Sequence, residues 1–283
     1  MLISVALISV ISLSAQPEPD LDALLARIAE RIEQYYQRAQ NLICVEKVTA
    51  QPVGHDMIPA GLGRVLEYEL HVESDGPADG AESGDARVVR DLRKVNGRVP
   101  KPKDKAGCYD PNPLSPEPLA FLLAAHRSEY AFFWAGFGRG KDRNALLIDF
   151  RPLEVGAPVL TEDSEGRPDC FSLSLPGATR GRVWVDASTA DVIRVEEHLA
   201  HPVDFSVSFD QQRRHGLPPS LSIDRYDWAI RYKPVAFSDP IETLLLPESI
   251  ETLAMLRGAQ SHRKRQVFSN YQRFMTNARV VKE

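Results

Sequence analysis

The chain has 283 residues, 43% of them hydrophobic and 26% charged, which is the balance of a globular protein and not of a disordered or fibrous one. Thirty-four basic against 39 acidic residues leave a net charge of −5, whereas a nucleic-acid binder would carry a basic domain or stripe, so that class is set aside. The length suits one large β domain or two ordinary ones.

The chain opens on an apolar run from Leu2 to Leu13, followed by Ser14-Ala15 and a proline-rich break at Gln16-Pro17. A stable membrane span needs about 20 apolar residues. This shorter run predicts a secretory signal over residues 1–15 with cleavage near Ala15, and hence a periplasmic or secreted protein. No Lys or Arg precedes the run, and no lipidation cysteine follows it, since the first cysteine is Cys44.

Asp20 then predicts the N-cap of a helix over residues 21–39. Leu21, Leu24, Leu25, Ile28, Ile32, Tyr35, Tyr36 and Ala39 recur at spacings of three and four, forming one apolar stripe on a helix about 28 Å long. Its polar side mixes Glu30, Arg31, Glu33 and Arg38, so the stripe is expected to lie on protein and not on an anionic membrane.

After Asn41 the period falls to two. Leu66, Tyr68, Leu70 and Val72 alternate with Glu67, Glu69, His71 and Glu73, as in a half-buried antiparallel strand over 65–73. Further strands are expected over 42–51, 87–95, 130–137, 145–153, 170–175, 181–186, 192–200, 205–213, 220–232, 248–256 and 261–274. Many strands with brief connections predict a mainly β fold with helices (α+β): one antiparallel meander, a single domain over residues 20–283, and no βαβ units. The segment 74–85 has no large apolar side chain and predicts a mobile loop. Ser115 and Pro116 predict a short second helix over 115–125, apolar around most of its circumference.

Catalytic signatures are sparse. No Gly-x-Ser-x-Gly or His-Glu-x-x-His occurs. Gly136-Phe-Gly-Arg-Gly-Lys-Asp142 has Ala135 and Asp142 where a phosphate loop needs Gly and Ser/Thr, so it reads as a hairpin turn. His198 and His201 are three apart and point to opposite faces of a strand, which disfavours a metal site with Asp204. Lys101, Lys103 and Lys105, and Arg263-Lys-Arg265, read as a solvated loop and an outward strand face. Neither a metal nor another cofactor is expected. Three cysteines, Cys44, Cys108 and Cys170, allow three pairings in an oxidising compartment, and Cys44 with Cys108 is the expected one.

What is in excess is apolar strand surface. Leu66, Tyr68, Leu70, Leu122, Phe132, Trp134, Ile148, Tyr226 and Trp228 form the candidate lining of an apolar ligand site. Plain core packing accounts for the same pattern equally well.

Gly181-Arg-Val-Trp-Val-Asp-Ala-Ser-Thr-Ala-Asp-Val-Ile-Arg194 is similar to the strand–turn–strand of the LolA/LolB/LppX-like lipoprotein carriers. Asn41-Leu-Ile-Cys-Val-Glu46, Leu246-Pro-Glu-Ser-Ile250 and Phe268-Ser-Asn-Tyr-Gln-Arg-Phe274 resemble uncharacterised exported proteins of acidobacterial type, related to the same superfamily. The resemblance implies a half-barrel, a curved antiparallel sheet whose concave side is lidded by helices and holds a lipid or acyl chain. It also implies a lipoprotein or envelope protein as partner, while the sparse catalytic signatures predict no enzymatic activity. Two functions follow as expectations: a periplasmic binder or carrier of an apolar ligand, or an envelope interaction or stress-sensing module whose core is filled by its own side chains.

Overall fold

The computed structural model describes residues 19–39, 41–74, 86–102, 104, 107–108, 110, 118–139, 142, 144–162 and 170–273. The expected signal and all of the expected 74–85 loop but Ser74 lie outside these; Ser74 ends a strand. Helix α1 spans Leu21–Arg38, with Asp20 accepting from the backbone N–H of Asp22 and Ala23 as its N-cap. The strands that follow are β1 (Leu42–Pro52), β2 (Arg64–Ser74), β3 (Ala86–Val95), β4 (Tyr130–Phe137) and β5 (Ala145–Pro152). Next come β6 (Val159–Glu162), β7 (Phe171–Ser174), β8 (Thr179–Asp186), β9 (Val192–Leu199) and β10 (Val203–Ser206). Helix α2 (Phe209–His215) precedes β11 (Ser220–Ser238), β12 (Ile241–Arg257) and β13 (His262–Arg273).

Eleven strands make one antiparallel sheet in the order β3-β2-β1-β13-β12-β11-β9-β8-β5-β4, with β10 against β11. β6 and β7 form a separate hairpin. The mainly β, antiparallel expectation is thus met, and β11 and β12 run further than expected, at 19 and 17 residues.

Alternation along each strand gives the sheet two unlike faces. In β1 the even positions Leu42, Cys44, Glu46, Val48 and Ala50 are buried. Across β9, β11, β12 and β13 the buried residues Val195, Ile230, Ile250 and Gln266 stand directly opposite one another. Onto this face α1 lays Leu24, Leu25, Ile28 and Ile32, which share one core with Leu70, Ile148, Phe150, Val183 and Phe268. Salt bridges fasten the helix at its C-terminal half: Arg31 to Asp191 at 2.8 Å, and Arg38 to Glu242 at 2.7 Å beside the β11–β12 turn.

Three expectations are corrected. The short helix over 115–125 is, among the described residues, a single 3-10 turn at Ala120–Leu122, entered from Leu119 without a side-chain cap. Ser115 and Pro116 lie outside the described residues. In a 3-10 turn residues three apart eclipse, so Leu119 and Leu122 reach the core together, and Leu123 is already extended. Residues 205–213 are not one strand. β10 ends at Ser206, and Ser208 and Gln211 form a capping box that starts α2, which stops at Gly216 in the left-handed conformation. The disulfide joins Cys108 to Cys170, not to Cys44, which lies buried and free on β1. Cys44 points into the core between β2 and β13, and burial pushes its thiol up to about 12, so it behaves as a small apolar residue.

Candidate functional site

The nine candidate lining residues fall into three groups on the helix-covered face. Leu70, Leu122 and Ile148 are buried in the main core, with Phe132, Trp134 and Trp228 half-buried against it. Leu66 and Tyr68 belong to a second cluster with Val48 and Val95. Tyr226 stands further along β11, half-buried, where burial first and the nearby Glu197 second push its hydroxyl up to about 12.

Between the first and second groups lies a polar network that periodicity alone does not name. Glu46 is fully buried and takes a bidentate contact from Arg90, at 2.6 and 3.1 Å, plus Gln266 Nε2 at 2.7 Å. The Arg90 guanidinium also lies 5.5 Å above the Tyr68 ring. A buried carboxylate is tolerated only when paired and hydrogen-bonded in this way. The sequence does carry a signal for it, because Glu46 occupies the same strand parity as Cys44 and Val48.

At the other edge of the sheet the covered face is aromatic. Phe121, from the 3-10 turn, has its ring centroid 4.4 Å from Phe150, 5.5 Å from Tyr130 and 6.4 Å from Phe132. Phe121, Tyr130 and Phe132 remain half-buried, so the cluster is roofed by one short turn and not sealed by a helix. Gly181 makes room for it, since a Cβ there would stand 2.5 Å from the Phe150 ring. Beside it Glu197 accepts from Thr179 Oγ1 at 3.1 Å, and burial raises its carboxyl above the usual range. Where α1 meets the sheet near Tyr35, Leu119, Tyr232 and Leu245, a void of only about 30 Å³ is left.

His198, His201 and Asp204 do not bring their ligand atoms together. Among the described residues one His/carboxylate group has converging ligand atoms, Glu69, His71 and Asp91. There the Arg93 guanidinium already lies 2.6 Å from Glu69 and 3.8 Å from Asp91. Among the described residues no helix is long and apolar enough to cross a membrane.

The opposite, open face of the sheet carries a groove in two adjoining parts, of about 890 and 480 Å³, which share Glu196 and His198. Arg263 and Arg265, read from the sequence as an outward strand face, do point outward and line it.

No protein-family model and no curated protein sequence matches the chain. Among solved structures, the chain is similar to a DUF1329 family protein from Desulfovibrio piger, at 13% identity over 89% of this chain and 92% of that one, with a TM-score of 0.40. It is also similar to MucB in complex with MucA(peri), at 10% identity over 88% and 94% of the two chains, with a TM-score of 0.21. The LolA superfamily protein from Nitrosomonas europaea matches over 92% of this chain and 97% of that one, at 11% identity and a TM-score of 0.37.

Proposed function

We propose that the protein is a non-enzymatic, exported binder of an apolar ligand such as an acyl chain, which it takes on the helix-covered face beside the Ala120–Leu122 turn. The observation that carries this reading is the aromatic cluster in which half-buried Phe121, Tyr130 and Phe132 surround a buried Phe150 under a single turn. A ligand methylene buried there is worth about 0.8 kcal/mol, so a modest length of chain reaches micromolar affinity. Phe121 then acts as a plug that the ligand displaces from Phe150. The disulfide between Cys108 and Cys170 supports export, because such bonds persist in oxidising compartments.

A second reading, an envelope interaction or stress-sensing module with a filled core, is favoured by the small void under α1 and by Leu119 and Leu122, which are 4% and 0% exposed. Titration with a fluorescent fatty acid separates the two, together with mass spectrometry of solvent extracts of the purified protein. The ligand reading expects co-purifying lipid and saturable binding that Trp228→Asp weakens and Phe121→Ala tightens, since that ring competes for the same place. Absence of both lipid and saturable binding leaves the interaction module.

A further inference from the structure

The two parts of the open-face groove form one continuous slot across seven strands. Strand register places Arg180, His198, Asp227, Leu253 and Arg263 in a row from β8 to β13, each opposite the next, and Arg151, which follows the Phe150 paired with Gly181, lines the same groove from β5. Two residues along each strand a second row runs parallel, from Phe133 on β4 through Asp149, Arg182, Glu196, Ala229 and Glu251 to Arg265. The residues between the rows, Gly181, Glu197, Trp228, Thr252 and Lys264, have the opposite strand parity, so their backbone makes the floor. Two residues of strand set the walls ~7 Å apart, and six strand spacings give a length of ~29 Å.

The walls differ in charge. In the second row each arginine has a carboxylate: Arg182 contacts Asp149 at 2.9 Å, and Arg265 contacts Glu251 at 3.2 Å. In the first row the single carboxylate, Asp227, is held by Arg225 at 2.6 Å. Among the described residues no carboxylate lies within 4 Å of Arg151, Arg180 or Arg263, and all three are exposed. A protein with net charge −5 therefore carries a surplus of unneutralised arginines along one side of this slot. Two aromatics hold guanidinium groups in place: Arg151 lies 5.7 Å over Phe133, and Arg194 lies 4.3 Å over Trp184.

We propose that this open-face groove is a docking site for an extended acidic peptide segment, laid across the strands with its carboxylates against Arg151, Arg180 and Arg263. An extended chain of about nine residues fills ~29 Å. Alternating acidic and neutral side chains suit walls in which Asp149, Glu196 and Glu251 interrupt the arginines. A phosphate backbone, charged at every step, would meet those carboxylates, and a flat anionic membrane would touch the rims without entering a slot this narrow. Exposed Phe133 and half-buried Leu253 offer apolar contact to the neutral positions. This site is separate from the one beside the Ala120–Leu122 turn, on the other face of the sheet.

Fluorescence polarisation tests it with a fluorescein-labelled nine-residue peptide of alternating glutamate and alanine, and with its lysine counterpart. The expected result is saturable binding of the glutamate peptide alone, weakened by added salt and at least tenfold by Arg180→Glu with Arg263→Glu, and unchanged by Phe121→Ala. Should the charge-reversed pair fail to fold, as judged by circular dichroism, Arg180→Gln with Arg263→Gln is the variant measured. Equal binding of both peptides, retention of binding in the double variant, or no saturable binding overturns the proposal. So does arginine-dependent binding of phosphatidylglycerol vesicles or single-stranded DNA without binding of the peptide.

Discussion

Two arginine–glutamate pairs on the two faces of one sheet show how far context outweighs chemistry. Arg90 and Glu46 are 8% and 0% exposed in their side chains, and Glu46 also accepts from Gln266, whereas Arg265 and Glu251 are 62% and 57% exposed. Both join neighbouring parts of the same antiparallel sheet. On the covered face the pair has left water, so losing one member leaves the other a buried charge without its counter-ion. On the open face water replaces either partner. The covered face is therefore where stability is set, and the open face is free to be shaped by recognition.

The sharpest way to break this contrast is to put a charge under the helix. Ile28 is fully buried and touches the core that unites α1 with the sheet. Ile28→Asp would bury an unpaired carboxylate at a cost of several kcal/mol, a large fraction of a domain's whole stability. Urea unfolding is expected to show loss of the cooperative native state or a large fall in midpoint; an unchanged midpoint would mean that α1 does not rest on this face.

Next in size is the buried pair itself. Glu46→Ala leaves Arg90 beside Tyr68 without its carboxylate, and the expected loss is about 3–5 kcal/mol by denaturant titration. Glu46→Leu combined with Arg90→Met removes both charges and should recover most of that loss. If the double variant were no better than the single one, the cost would not come from an unpaired buried charge.

A third test uses pH. His262, at the start of β13 on the covered side, is held down to about 4, by burial first and by the neighbouring Lys264 second. A base depressed in the folded state stabilises fully above its unfolded pKa of about 6.5, and that contribution is lost as pH falls through about 4. Tm is therefore expected to drop between pH 6.5 and 4 more steeply in the wild type than in His262→Gln. Parallel curves would remove His262 from the account.

Much of this fold was legible in residue spacing, and the parts that were not have identifiable causes. The α1 stripe and the alternation in β2 reveal their elements because each buries one side only. Residues 205–213 misled because Phe205 and Val207 alternate like a strand, while Ser208, Gln211 and Gly216 carry the stronger signals of a capped helix. The 115–125 segment reads as a helix because it is apolar around most of its circumference, but a single turn is enough to bury Leu119 and Leu122. Whether Cys108 pairs with Cys44 or Cys170 depends on which of them folds beside it, and spacing contains nothing of that. The open-face slot was hidden for a similar reason: Arg180 on β8 and Arg263 on β13 lie 83 positions apart and come into one row only through four strand registers. Of the candidate lining, the sequence named the face, while the division of Leu66 and Tyr68 from Phe132 and Trp134 depends on where Glu46 and Arg90 sit.

The smallest expected effect completes the contrast. Glu251→Ala removes the carboxylate from Arg265 on the open face, where both side chains are more than half exposed. Water takes over both partners, so the expected change is about 0–1 kcal/mol, within the range for exposed pairs. The same substitution should alter peptide docking in the opposite sense to an arginine loss, because it frees Arg265 and removes a negative charge from the wall. Measured together, unfolding should place Glu251→Ala near the wild type, and polarisation should show the acidic peptide bound more tightly. A loss of stability comparable to that of Glu46→Ala would mean that the open face also holds the fold together, and the division of labour between the two faces would fail.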